Sequence, residues 1–223
     1  MRLVTTLLLA VVLIASAASA EFLLTANPLG QGKIGGLLGY VSDANYNNVS
    51  GMSVGTIGGY VGYGITDKLD VLVNLGSANA SGLPVGVSKI AATGYALNLK
   101  YSVIQEGKDM PVSVAVGGGY KSSTLTTTVT GLGDISTPLS QISIAAGVSK
   151  VMAPFIPYGA LAYRSMNSNG TAQGTAIDLT VGSAIAWSMQ GAVMIEATMQ
   201  SITPNGGANY SSSQLAAGVA YLL

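Results

Sequence analysis

Short stretches of this chain alternate apolar residues with small or polar ones, and the alternation returns about ten times between Gly32 and the C-terminus. The clearest stretch sets Tyr95, Leu97, Leu99, Tyr101 and Val103 against Gly94, Ala96, Asn98, Lys100 and Ser102. The last stretch, Gln214 to Leu223, puts Leu215, Ala217, Val219, Tyr221 and Leu223 on one face and Gln214, Ala216, Gly218 and Ala220 on the other, with Leu222 out of phase. A period of two places alternate side chains on opposite faces of a strand. Strands are predicted over Gly32–Ser42, Met52–Ile65, Leu69–Gly76, Gly94–Val103, Val112–Lys121, Ser140–Val151, Ile156–Met166, Ile177–Trp187, Val193–Gln200 and Gln214–Leu223. The first has no settled facing, because Ile34, Leu38 and Tyr40 compete with Leu37 and Val41.

The segments between these strands alternate in length. Short turns are expected at Thr66-Asp67-Lys68, Gln105–Pro111, Ala153-Pro154-Phe155 and Met189-Gln190-Gly191. Longer loops rich in Ser, Thr, Asn and Gly are expected at Asp43–Gly51, Ser77–Ser88, Thr124–Leu139, Asn167–Gly174 and Ser201–Ser212. Glu21–Gln31, with Pro28, reads as an irregular lead-in.

Composition turns this pattern into a membrane architecture. Only 8% of residues are charged and 49% are hydrophobic, against about 25% charged in a typical soluble domain. No stretch after Ile14 is long and apolar enough for a spanning helix, which needs about 20 residues. The fold class expected is therefore all-β: a closed antiparallel up-and-down transmembrane barrel of about ten strands, with eight as the alternative count. At the N-terminus, Met1 and Arg2 precede an apolar run, Leu3–Ile14, and the small-x-small tripeptide Ala18-Ser19-Ala20. Residues 1–20 read as a cleavable signal peptide and residues 21–223 as one outer-membrane barrel domain.

The signal peptide, the Gly64–Leu69 turn and the C-terminal strand with Tyr third from the end resemble small bacterial outer-membrane β-barrels, the porin-like and OmpA/OmpX-type group. Leu223 stands where that group closes on Phe or Trp. The resemblance implies a bacterial outer-membrane location, lipid as the surrounding partner, and the outer-membrane assembly machinery as the reader of Leu215, Val219, Tyr221 and Leu223. It implies no substrate.

Candidate chemistry is sparse. The chain has no His and no Cys, so Ser-His-Asp and Cys-His arrangements cannot be built. The best transition-metal ligands are missing too. Isolated carboxylates such as Asp43 and Asp134 make poor calcium sites. Gly35-Gly36 and Gly58-Gly59 lack the Gly-Lys-Ser/Thr sequel of a phosphate loop and read as wall glycines. No basic cluster supports nucleic-acid binding, and the chain is expected to be non-enzymatic and free of cofactors.

The charges within the strands are more informative. Asp70, Lys100, Arg164, Asp178 and Glu196 fall on inward faces by the alternation. Counting back from the loop centres places Asp70 near Lys100 and Arg164 near Asp178. Tyr95, Tyr101, Tyr120, Tyr163 and Trp187 fall near strand ends or outward, as interface anchors would. The inward positions Gly94, Ala96, Gly117, Gly119, Ala145, Gly147, Gly182, Ala184, Ala216 and Gly218 are small. Two functions follow: a narrow pore for passive diffusion of small solutes, or a closed structural or surface-binding barrel whose external loops contact partners.

Overall fold

A computed structural model of the chain describes residues 25–44, 52–83, 85–206 and 209–223. The signal segment, the centre of the first expected loop and Pro84 lie outside the described residues. Ten strands run β1 (Ile34–Ala44), β2 (Ser53–Gly64), β3 (Leu69–Ser81), β4 (Val87–Ile104), β5 (Ser113–Val129), β6 (Gly133–Ser149), β7 (Phe155–Ser168), β8 (Thr171–Ala186), β9 (Gly191–Pro204) and β10 (Tyr210–Leu222). Each pairs antiparallel with its sequence neighbour, and β1 pairs with β10 to close the barrel.

Closure leaves no open sheet edge in the hydrocarbon, where an unpaired backbone group would cost several kcal/mol. Every strand sends at least one large apolar side chain outward. Leu38, Val61, Val73, Leu97, Val116, Ile144, Leu161, Leu179, Ile195 and Val219 are all exposed, one from each of β1 to β10. The facing of β1 is now fixed: Ile34, Leu38 and Tyr40 point out, and Leu37 and Val41 point in. This outward belt is the surface of a membrane barrel, and it places the chain in the outer membrane.

Above the belt the outward face changes character while the strands continue. The next outward positions are Thr93, Ser122, Ser140, Ser165, Thr175, Ser201 and Ser213 on β4 to β10. Tyr95, Tyr120 and Tyr163 stand one outward position below Thr93, Ser122 and Ser165, which sets an aromatic girdle at the polarity boundary. Inward positions change in the opposite sense, to Ile90, Leu125, Leu139, Met166 and Ile202. The expected loops Ser77–Ser88, Thr124–Leu139, Asn167–Gly174 and Ser201–Ser212 are therefore mostly strand. Thr124–Leu139 is the tip of a hairpin with a turn at 130–132, and β5 and β6 stay paired from Ser113↔Ser149 to Val129↔Gly133. Thr and Ser on a solvated sheet face are good strand residues. They had read as loop because the apolar face had crossed to the other side.

The extension is tallest on β4, β5 and β6. Pairing of β6 with β7 begins only at Leu139↔Ser168, so Gly133–Pro138 stands beyond it. The turn backbone of Thr130 donates to Gly86 O at 2.9 Å and ties two of the tips together.

Candidate functional site in the barrel lumen

The lumen is built in three levels. At the end carrying the short turns, the lead-in segment enters the barrel and is bound there. The Ala26 N–H donates to Ser149 Oγ (3.0 Å), and Ser102 Oγ donates to Ala26 O (2.9 Å). Ser113 Oγ donates to Asn27 Oδ1 at 2.6 Å. Leu29 N–H reaches both carboxylate oxygens of Asp70, at 3.1 and 3.2 Å. Ala26 is 1% exposed and packs on Ala115, Ala145 and Ala160, whose small side chains make the room it fills.

Asp70 and Lys100 hold this segment. They are direct register partners on β3 and β4, with Lys100 Nζ 3.1 Å from Asp70 Oδ2. The same ammonium donates to Asn27 O at 2.7 Å and Thr25 O at 3.4 Å. The ion pair thus does more than stiffen the wall: each charge also grips the backbone of the inserted segment. A carboxylate accepting one N–H across both its oxygens and an ammonium donating to two carbonyls are both well matched partners.

The middle level is polar. Arg164 on β7, fully buried, donates from Nη2 to Asp178 Oδ1 on β8 at 2.5 Å. The two residues sit two positions off direct register on the same face, since Arg164 opposes Ala176 and Asp178 opposes Ala162. Glu196 on β9 accepts from Tyr158 OH at 3.0 Å. Tyr158 reaches it by lying across Gly182, the register partner of both. A Cβ at Gly182 would stand 2.5 Å from the tyrosine ring and hydroxyl. Thr180 and Thr198 share a hydrogen bond at 2.8 Å, and Asn98 donates to Asn74 at 3.2 Å. Arg164 Nε and Nη1, Asp178 Oδ2 and Gln141 Oε1 have no protein partner. Buried groups of this kind are ordinarily served by internal water.

The upper level is apolar. Met52, Val54, Ile90, Leu125, Leu139, Met166 and Ile202 meet in one buried cluster, with Ala78, Val87, Ala92 and Ala176 filling between them. These residues come from β2 to β9 and from the residue just before β2. They span the lumen at the level where the outer wall turns polar.

All five expected inward charges are buried: Asp70, Lys100, Arg164, Asp178 and Glu196. Of the C-terminal set, Leu215, Val219, Tyr221 and Leu223 are exposed on the outer face. Leu222 is half-buried and lines the lumen near the turn end. Sequence reasoning did not find the inserted segment, the Tyr158–Glu196 contact or the apolar level. Among the described residues no acidic cluster could hold a metal, and Asp134 accepts from Thr128 Oγ1 at 2.6 Å.

No protein-family model matches the chain, and no curated protein does. Solved structures do match over most of its length. The transport unit of the autotransporter AIDA-I from Escherichia coli superposes with TM-score 0.59 at 14% identity, covering 95% of this chain and 96% of that one. The β domain of the Bordetella autotransporter BrkA gives TM-score 0.53 at 10% identity, over 86% of this chain and 99% of that one. The outer-membrane protease OmpT from Escherichia coli gives TM-score 0.47 at 12% identity, over 93% of this chain and 100% of that one. At these identities the likeness concerns the fold. That fold is the closed ten-strand barrel of bacterial outer-membrane proteins.

Proposed function

We propose that this chain acts as a closed, non-enzymatic outer-membrane barrel, structural and surface-binding, rather than as a diffusion pore. One observation carries this reading: the lumen is obstructed at two separate levels, by the bound segment from Thr25 to Gln31 and by the apolar cluster around Leu125 and Ile202. An ion crossing it would have to displace the first and then leave water for the second. Isolated charge in an apolar layer is costly enough to stop conduction.

By the rule that outer-membrane barrels keep short turns in the periplasm, the tall β4–β5–β6 extension faces outward from the cell. Its outer face offers Thr93, Thr124, Thr126, Ser136 and Ser140, hydroxyl groups with little charge among them. That surface suits a neutral, hydrogen-bonding partner better than a polyanion. Single-channel recording in planar bilayers is the test. Silence is expected of the native chain, with openings appearing once Thr25–Gln31 is deleted and Leu125 and Ile202 are both made Ser. Discrete openings of the native barrel would refute the reading.

A further inference from the structure

Outward aromatic side chains stand at both borders of the apolar belt. At the end with the short turns they are Tyr63, Tyr101, Phe155, Trp187 and Tyr221, each within three residues of the end of its strand and about half exposed. Such rings mark the level of the lipid headgroups. The two borders then differ in charge. Four lysines lie at the lower one: Lys33 just before β1, Lys68 in the β2–β3 turn, Lys108 in the β4–β5 turn and Lys150 between β6 and β7. All four are exposed, and none is ion-paired among the described residues. On the outward face above Tyr95, Tyr120 and Tyr163, the one cation among the described residues is Lys89. It lies six residues beyond Tyr95, about 20 Å farther along β4.

Two of the carboxylates on the lower rim are turned to the backbone. Asp67 Oδ1 accepts from Gln31 N–H at 3.2 Å, and Glu106 Oε2 accepts from Val151 N–H at 2.8 Å. Asp109 stands next to Lys108, so four ammoniums against three carboxylates leave the rim net positive. The turns themselves carry a second signal. Met110, Val151, Met152 and Met189 are exposed there, Met189 completely. Turns in bulk water favour Asn, Asp, Ser and Gly. Large apolar side chains beside Lys suit the boundary of lipid tails instead, with the ammonium reaching into the headgroups. Ammonium groups near a membrane surface attract anionic lipid, each adding to the effect. We infer that the periplasmic rim from β1 to β7 binds anionic phospholipid of the inner leaflet. The lysines meet its phosphates, while Met110, Met152 and Phe155 lie among the upper carbons of its tails.

Trp187 can report on this rim. The Ala186 N–H donates to Pro154 O at 2.8 Å, so Trp187 sits beside the β6–β7 turn that Lys150 opens. The full chain is folded into phosphatidylcholine vesicles holding a minor share of phosphatidylglycerol, with the tails of one lipid or the other brominated. Heat-modifiable gel mobility checks that the barrel has formed. At low salt, brominated phosphatidylglycerol should quench Trp187 about fivefold more per molecule than brominated phosphatidylcholine. Salt at about 1 M should abolish the preference. Lys150→Gln should remove most of it, and Lys89→Gln should leave it unchanged. The chain has no cysteine, so Met152→Cys and Leu132→Cys can each carry a polarity-sensitive dye as a second readout. Position 152 should report a headgroup environment, and position 132, in the β5–β6 turn, bulk water. Equal quenching of the native chain by the two lipids would overturn the inference. So would a preference that survives Lys150→Gln, one that is lost in Lys89→Gln, or a dye at position 152 that reads bulk water.

Discussion

Replacing Lys100 with Met tests whether the ion pair clamps the inserted segment. The side chain keeps its approximate length and loses only its charge and donors. Asp70, whose side chain is fully buried, would then keep Leu29 N–H and lose its cation. Stranding a buried charge in this way costs about 3–5 kcal/mol. Asp70→Asn is milder, because the amide oxygen still accepts from Leu29 and Lys100 still has the carbonyls of Thr25 and Asn27. Loss of one hydrogen bond to a charged group costs about 1.5–3 kcal/mol. The double variant removes both charges and should cost at least about 1 kcal/mol less than the two single losses together. Urea titration in lipid vesicles can be followed by the fluorescence of Trp187, the one tryptophan of the chain, exposed on the outer face beside the β8–β9 turn. The clamp has its own readout in trypsin cleavage after Lys33, which both single variants should accelerate. Additive losses to within about 0.5 kcal/mol, with unchanged cleavage, would refute the coupling.

Gly182→Ala should displace Tyr158 from Glu196 and destabilise the barrel by about 1–3 kcal/mol, while Tyr158→Phe added to it should cost little more in the same urea titration. Ile202→Ala should cost about 2–5 kcal/mol, since this fully buried side chain leaves a cavity in the apolar level. Val219→Arg should impair membrane insertion by about 2–4 kcal/mol, whereas Thr124→Lys, outward but above the belt, should insert normally by gel mobility and fractionation. Deleting Ala220–Leu223 should abolish insertion, because β10 could no longer seal against Gly35, Gly36 and Leu37 at the lower end of β1.

The wall itself was legible in the sequence because strand facing is a local property. Asp70 and Lys100 could be matched by counting outward from one hairpin centre, and their direct register shows why the count worked. Arg164 and Asp178 were found the same way, two positions off register on the same face. Tyr158 and Glu196 sit on strands that are not neighbours, and only the glycine between them permits the contact. No short-range spacing carries that information. The inserted segment was missed for a related reason: Thr25–Gln31 has no period of its own, and its partners lie on β3 to β6 and on the β2–β3 turn. The strand extensions were lost to a reversal of phase. Leu125, Leu139 and Ile202 occupy the same inward parity as Gly119, Gln141 and Glu196, so a reader expecting apolar residues outside finds the pattern broken there.

That reversal means one continuous sheet obeys two solvents. Below the tyrosines the wall is held by backbone pairing in lipid, which aqueous denaturant undoes only when the barrel as a whole unfolds. Above them, water-driven burial holds the cluster around Ile90 and Leu125 together, as in a soluble domain. Urea weakens burial of that kind directly. The barrel should therefore melt from the cell surface inward, like a candle burning toward a fixed base, and amide exchange should report Ile202 opening before Ile195 although both lie on β9.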